Sequence, residues 1–195
     1  IFTNYNPHST TFNNLSIVSI GREAHTLSAS YNPNGTATGI SGPKRYIWDS
    51  QQSETPWYIS DGEGSTEIKG ELLKYFSPTG NFRSPDMGLD AGSPKYPRKT
   101  LTTFFLIEII NQAFSYINSH EHREANATLR KRVIKKLVLT HPTGWTKWME
   151  DELLAEAEKA VRIFCDFMNI DPEFKVELGL DEATAAQVVF VHSQL

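Results

Sequence analysis

The stretch from residue 136 to residue 194 constrains the fold of this chain most strongly, because strand and helix patterns alternate along it. A short apolar run, Leu-Val-Leu at 137–139, ends at Pro142 and predicts a strand over 136–140. A continuous apolar run favours a strand that is buried on both faces of a parallel sheet. Residues 174–180 alternate apolar and polar side chains, which predicts a second strand.

A long amphipathic helix is predicted between these two strands. Apolar residues recur every three or four positions from Met149 to Met168, so one stripe of the helix faces the sheet. Thr146 is a candidate N-cap, and Asn169 and Pro172 are expected to end the helix. Strands joined by a helix of this length are expected to be parallel. The predicted fold class is therefore α/β, a mixed sheet with flanking helices.

An acidic pair, Asp181 and Glu182, follows the second strand and precedes a helix that is predicted to start near Ala183. Open α/β sheets bind ligands beyond the carboxyl ends of their strands, so a carboxylate here is a candidate functional group. The alternative is that one of the two acids only caps the helix, since Asp is a favoured N-cap residue. The residue types leave both interpretations open.

The first hundred residues contain weaker patterns. Residues 15–20 and 21–30 are strand and helix candidates, and the residues before them are Asn, Ser and Thr rich, which predicts an irregular lead-in. A basic pair, Lys44 and Arg45, comes next, and the simplest interpretation is a solvated pair before a strand. Residues 57–68 predict a hairpin with its turn at Asp-Gly.

A Pro-, Gly- and Ser-rich stretch at 77–99 is the longest predicted loop, and it is an insertion of the kind that is usually functional or mobile. Residues 70–76 before it predict a short helix or a strand. Residues 100–118 predict a helix with so wide an apolar face that it must be buried, and we expect it to pack against the sheet.

Composition and charge exclude several classes of function. The formal charge is −4 with no long basic run, which argues against a nucleic-acid partner. No apolar run approaches the roughly 18 residues that span a bilayer. The single cysteine, Cys165, lies on an apolar helix stripe and is expected to be buried, and one cysteine fits a reducing cytoplasm. Two His and two Glu at 120–124 are read as a loop of solvated charges, because nothing nearby completes a metal site.

The 140–186 region resembles the first lobe of the actin-like ATPases, and of DnaK-class chaperones in particular. The residues that carry the resemblance are Thr-His-Pro at 140–142 and the run Glu-Ala-Thr-Ala-Ala at 182–186. The resemblance implies that Glu182 lies beside the metal-bound water of a nucleotide site and that Lys44 reaches the γ-phosphate. Ala183 departs from the pattern, because the chaperones have proline there.

Over nearly its whole length the chain is similar to the SrfB-type virulence-factor family of bacteria. The shared order is Gly-Arg-Glu-Ala at 21–24, the Pro-Lys-Arg turn at 43–45, the apolar helix at 100–118 and the strand–helix–strand unit. The family's proteins are far longer and look like divergent members of the actin and DnaK superfamily. The resemblance implies that residues 1–195 are one partial domain, an internal piece of the first lobe of an actin-like (ribonuclease H-like) ATPase fold.

The same resemblance implies a division of roles and a set of partners. Lys44 and Glu182 are the expected catalytic residues, and Arg45, Asp181 and Pro142 are expected to contact the nucleotide. ATP and Mg²⁺ would bind the complete cytoplasmic protein, whose other lobes are the expected partners, and we expect this segment alone to bind neither cofactor and to hydrolyse no ATP. No dedicated metal ligand is expected in this segment.

Several motifs of that superfamily are absent from the sequence. The two phosphate loops and the adenosine motif are missing, and the Asp-Ala-Gly at 90–92 lacks the apolar strand that such a loop needs. The chaperones also have a proline–arginine relay that links their nucleotide state to substrate binding. This chain has Pro142, but Glu150 stands eight residues later, where the chaperones have arginine.

Two further interpretations therefore stay open. The chain can be a non-catalytic actin-like scaffold that presents the 77–99 loop, or the aromatic pair Trp145 and Trp148, to a protein partner. It can also be an α/β domain in which the basic pair and the acidic turn only support packing, since a fold does not decide a function.

Overall fold

The computed structural model is described here over most of the chain. The described residues are 2–3, 18–30, 40–54, 56–60, 65–67, 71–84, 95–128, 130–171 and 174–193. The helices within them are α1 (Gly21–Ser30), α2 (Thr100–Ile117), α3 (His120–Ala125), α4 (Lys147–Met168) and α5 (Glu182–Ser193). The strands are β1 (Phe2–Thr3), β2 (Val18–Ser19), β3 (Tyr58–Ser60), β4 (Ser65–Glu67), β5 (Lys136–His141) and β6 (Lys175–Asp181).

Strands β5 and β6 form a two-stranded parallel sheet, which confirms the predicted strand–helix–strand unit. Leu137 lies opposite Val176 and Leu139 opposite Leu178, and one irregularity before His141 brings that residue opposite Asp181. The carboxyl ends of both strands therefore meet at one edge of the sheet.

Only one face of this sheet is buried. Leu137, Leu139 and Val176 pack against the core, as a strand period of two requires. Val138 points to the other face and is 56% exposed, beside an ion pair of 2.8 Å between Lys136 and Glu177. The prediction that the 137–139 run is buried on both faces is therefore wrong, because no described element covers the outer face there.

Helix α4 is the central element, and it contacts both α2 and β6. Its buried stripe contains Leu153, Ala157, Ala160 and Phe164, at the helical spacing that the sequence predicts. The two alanines are fully buried, and such small side chains let α2 approach closely. The expectation that α2 packs on the sheet is corrected, because its main contacts are with α4.

A buried polar contact joins α2 to α4. The Glu156 carboxylate is almost fully buried, and it accepts hydrogen bonds from Thr103 Oγ1 and from Lys159 Nζ, the latter at 2.8 and 2.9 Å. A buried carboxylate is tolerated when such partners satisfy it. This contact therefore sets the rotation of the two helices about each other.

An aromatic cluster completes the core on the other side of α2. Phe104 lies 4.8 Å from Phe76 and 5.7 Å from Trp57, measured between ring centroids. Trp57 also donates a hydrogen bond of 3.1 Å from Nε1 to the Tyr96 carbonyl oxygen. The cluster ties Trp57 and Phe76, which precede the 77–99 loop, and Tyr96, which lies near the end of that loop, to α2.

Several other expectations can be compared with the structure. Strands β3 and β4 pair antiparallel, as the hairpin prediction requires, and residues 71–75 form a 3-10 helix. Residues 120–125 form a helix rather than a loop, because Ser119 caps it by accepting a hydrogen bond of 3.2 Å from the His122 amide. Thr146 is the N-cap residue of α4, but its side chain makes no capping bond. Asn169 ends α4 in the left-handed conformation.

Part of the sequence predictions falls outside the described residues. These are Pro172, the hairpin turn at 61–64, the lead-in from residue 4 onward, residues 15–17 of the first strand candidate, and residues 85–94 of the long loop with the Asp-Ala-Gly at 90–92. Within the lead-in, residues 2–3 form β1, which pairs with β2. The division into one partial domain with an insertion at 77–99 stays a prediction.

The aromatic cluster gives a direct test of the core. Phe104 is fully buried, so Phe104→Ala is expected to lower the free energy of unfolding by about 3–5 kcal/mol. Tyr116→Ala on the same helix removes a ring that is 65% exposed, and it is expected to change that free energy by about 0.5 kcal/mol or less. Urea unfolding followed by circular dichroism measures both, and equal losses for the two variants would contradict this packing.

Candidate functional site

Polar groups from three separate parts of the chain meet at the carboxyl edge of the parallel sheet. Strand β5 ends at His141, and the turn after it contains Thr143 and Gly144, the latter at a positive φ of 84°. Strand β6 ends at Asp181, directly opposite His141, and α5 begins at the next residue. The third contribution comes from Lys44, in a 3-10 helix over Pro43–Tyr46.

The Lys44 ammonium joins the ends of both strands. Its Nζ donates a hydrogen bond of 2.7 Å to the Thr140 carbonyl oxygen and lies 2.6 Å from Glu182 Oε1. These partners are 96 and 138 residues away in the sequence. The structure therefore brings together the two residues that the family resemblance singles out as catalytic.

The Lys44–Glu182 pair is partly open to solvent. The two side chains are 31% and 49% exposed. Exposed ion pairs of this kind typically contribute less than about 1 kcal/mol to stability, since solvent screens them. The pair is therefore accessible to a ligand, and its loss is not expected to unfold the protein.

Asp181 is the N-cap of α5. Its Oδ1 accepts hydrogen bonds of 3.1 Å from the backbone amides of Ala183 and Thr184, and its Oδ2 accepts one of 2.6 Å from Thr184 Oγ1. Thr143 Oγ1 donates a further bond of 2.7 Å to Oδ1. Of the two alternatives for the acidic pair, capping thus applies to Asp181, and Glu182 is left facing Lys44.

These hydrogen bonds also fix the charge of Asp181. The bond from the Thr184 hydroxyl, then the bond from the Thr143 hydroxyl, and then the backbone amide of Thr184 hold the pKa of the Asp181 carboxyl well below its usual range. Its oxygens are largely committed to protein donors. A contact between Asp181 and a nucleotide therefore stays a prediction, and its observed contacts join the two turns at this edge.

Arg45 follows Lys44 in the 3-10 helix, and Pro142 directly follows β5. Arg45 is exposed and forms no ion pair with the described part of the chain. The Pro142 carbonyl accepts a hydrogen bond of 3.3 Å from the Trp145 amide. Glu150, where the resemblance expects arginine, lies with its Oε1 3.7 Å from His141 Nδ1. The local geometry at Pro142 thus differs from the proline–arginine relay.

Thr143 and the Thr140 carbonyl are site groups that the sequence analysis did not single out. A signal for Thr143 is present in the sequence, since it follows the predicted strand in a Pro-Thr-Gly turn. Its partner Asp181 could not be assigned from the sequence, because the register of two parallel strands decides which turn residues face each other.

The described residues fit a phosphate better than they fit a directly bound metal. Lys44 offers an accessible ammonium, which is a common binder of phosphate oxygens. Across the described ranges, no group of three or more His, Cys, Asp and Glu side chains could hold a metal ion. Of the two acids at this edge, Asp181 is held by protein donors, so Glu182 is the carboxylate that would contribute to a magnesium site, either directly or through water. Within the same ranges, no helix is long and apolar enough to cross a membrane.

These features define an α/β protein with a Lys–Glu pair at the carboxyl edge of a parallel strand pair. The family model described as Virulence factor SrfB matches residues 6–195, so the chain belongs to the SrfB family. No curated protein matches the chain. No solved structure matches it either.

The capping role of Asp181 predicts a pH-dependent effect on stability. The folded-state pKa is depressed, so the stabilisation is fully present above the unfolded-state pKa of about 3.9 and is lost as pH falls through the folded-state value. We expect Asp181→Ala to lower the urea midpoint at neutral pH, with a difference from the wild type that shrinks once pH falls below about 4.

Asp166→Ala is the matched control, because Asp166 is an exposed aspartate. Its carboxylate accepts no hydrogen bond from the described part of the chain. Its urea midpoint is expected to stay close to that of the wild type at both pH values. A difference for Asp181→Ala that persists unchanged at low pH would show that the charged cap is not its source.

Proposed function

We propose that this chain forms part of the first lobe of an actin/DnaK-like nucleotide-binding protein. In this proposal Lys44 and Glu182 line the phosphate end of a cleft that other parts of the complete protein close. One observation carries the proposal, the 2.6 Å contact between Lys44 Nζ and Glu182 Oε1 at the carboxyl edge of the parallel strands.

The position of the pair supports a ligand site. Ligands of open α/β sheets bind in the crevice beyond the carboxyl ends of the strands, which is the edge where Thr140, Asp181 and Glu182 lie. The pair is also accessible, since both side chains are partly exposed. A buried pair at the opposite end of the sheet would support only a packing role.

The chemistry of the two side chains supports phosphoryl transfer. A lysine ammonium that leaves Glu182 for a phosphate oxygen would stabilise the negative charge that develops there. The Glu182 carboxylate would then be free to accept a hydrogen bond from an attacking water and to orient it. Magnesium bound with the nucleotide would neutralise phosphate charge, and this chain would contribute to it through Glu182 alone.

Calorimetry of Mg-ATP binding to the complete protein tests the proposal. The wild type is expected to bind saturably, and Lys44→Ala to weaken binding by about tenfold or more, since a hydrogen bond to a charged group contributes roughly 1.5–3 kcal/mol. Glu182→Ala is expected to retain binding and to lose hydrolysis by about 10²–10⁴-fold, the usual contribution of a positioned acid or base.

The Lys136–Glu177 ion pair provides a matched control on the same sheet. Its N···O distance is 2.8 Å and its side chains are 50% and 49% exposed, so it is comparable to the Lys44–Glu182 pair. It lies away from the carboxyl edge. Lys136→Ala and Glu177→Ala are expected to leave binding and hydrolysis unchanged. Absence of Mg-ATP binding by the wild type up to millimolar nucleotide would overturn the proposal.

A non-catalytic scaffold is the second candidate, and the exposed aromatic surface at the start of α4 favours it. Trp148 is 53% exposed, and Trp145 lies nearby in the preceding turn. Exposed tryptophans are enriched at protein interfaces. A complete protein that binds no nucleotide and loses a protein partner on Trp148→Ala would favour this candidate.

A further inference from the structure

The end of the β5–β6 sheet opposite its carboxyl edge differs chemically from the edge that holds Lys44 and Glu182. An apolar cavity of about 320 Å³ lies there, where α2, α4 and the segment that leads into β5 meet. Its wall contains Phe114, Phe164, Phe174, Ile134 and Ile170. A cavity of roughly 150 Å³ is enough for a benzene-sized molecule, so this one can hold a leucine or phenylalanine side chain.

Most of the cavity wall is apolar, although Lys135 and Asp171 also line it. Cys165 lies there and is almost fully buried. Burial, assisted by the nearby carboxylates of Asp166 and Asp171, raises the pKa of the Cys165 thiol, which is therefore neutral at physiological pH. An apolar group is thus the kind of ligand group that this cavity accommodates without a desolvation cost.

A row of exposed cations lies beside the cavity. Arg130, Lys131 and Arg132 are consecutive and exposed, and none of them forms an ion pair within the described part of the chain. The Lys131 ammonium lies 5.3 Å from the centroid of the Phe114 ring, which is itself part of the cavity wall. Val133 and Lys135, which follow the row in the sequence, line the cavity directly. The cationic row and the apolar cavity are therefore continuous.

The backbone of the row is held in place. Asn118 Oδ1 accepts a hydrogen bond of 2.8 Å from the Arg132 amide, and its Nδ2 donates one of 3.1 Å to the Arg132 carbonyl. The Lys135 carbonyl accepts a bond of 3.0 Å from the Lys175 amide. A surface that is already ordered loses less entropy when it binds a partner.

We propose that this cationic row and the adjacent cavity form one docking surface for an acidic segment of a partner protein. An apolar side chain of the partner enters the cavity, and carboxylates beside it in the partner's sequence pair with Arg130 and Arg132. Charge complementarity selects an acidic partner, because arginine side chains pair with carboxylates through paired hydrogen bonds. Asp171 also lines the cavity, and its carboxylate disfavours a partner carboxylate close to it.

The same features favour a peptide over the other polyanions. The formal charge of −4 over the whole chain opposes every polyanion, and a short acidic segment that contacts only the local cations meets less of this repulsion than a long nucleic acid or an extended anionic membrane. The cavity is large enough for an apolar side chain, and a buried apolar anchor surrounded by charged contacts is the usual arrangement at protein interfaces.

Fluorescence anisotropy with a labelled synthetic peptide tests the docking surface in the full chain. The probe carries glutamates on both sides of a central leucine–phenylalanine pair. Replacing that pair with two serines, or replacing the glutamates with glutamines, is expected to weaken binding by about tenfold or more, because anchor and charges act together. Raising the salt concentration is expected to weaken binding of the probe as well.

Charge-reversal variants identify the surface. The double variant Arg130→Glu/Arg132→Glu is expected to weaken binding of the probe by about tenfold or more. Arg22→Glu/Lys147→Glu changes the net charge equally at exposed positions elsewhere and is expected to leave binding unchanged. Val133→Asp, at a position that is 53% exposed, is expected to weaken binding without unfolding the chain, which its urea midpoint checks.

Three outcomes would overturn the proposal. The first is that the serine peptide binds as tightly as the probe. The second is that the two double variants bind the probe equally well, and the third is that the probe does not bind at low salt. Oligothymidylate and vesicles that contain phosphatidylserine are measured in parallel. Binding of either one through Arg130 and Arg132, at equal or higher affinity, would show that the partner class is wrong.

Discussion

Packing of α4 against both α2 and the parallel strands is the constraint on which the rest of this structure depends. Fully buried Ala157 and Ala160 allow the close approach of α2, and the Glu156 carboxylate holds Thr103 of α2 in place. A buried carboxylate without these partners would be costly, so the polar contact selects one arrangement of the two helices. Strand β6 contacts α4, and Leu137, Leu139 and Val176 pack against the core that α2 and α4 form.

The position of Lys44 follows from that packing. The chain after the 3-10 helix is anchored by buried Ile47 and by a hydrogen bond of 3.2 Å from the Lys99 amide to the Asp49 carbonyl, just before α2. Arg98 adds an ion pair of 3.7 Å to Asp49. Because α2 is fixed on α4, and α4 connects β5 to β6, Lys44 is held next to the carboxyl ends of both strands.

The two ends of the parallel unit offer different chemistry. At the carboxyl edge, Asp181 and Thr143 join the two turns, and Glu182 and Lys44 stay accessible. At the other end, the last turns of α2 and α4 leave an apolar cavity beside a cationic segment. The two-stranded parallel sheet thus has polar groups at its carboxyl edge and an apolar cavity at its opposite end.

The sequence by itself determined the local elements. Hydrophobic periodicity and cap residues predicted the bounds of α2, α4, β5 and β6 to within a few residues, because both signals are local. The position of Asp181 and Glu182 after a predicted strand marked that acidic pair as a candidate, whereas Lys44 was a candidate only through the family resemblance. Tertiary structure alone decided which acid caps α5, that Val138 is exposed, that α2 packs on α4, and that Thr143 faces Asp181. Each of these depends on strand register and on contacts between residues far apart in the chain, which no local pattern contains.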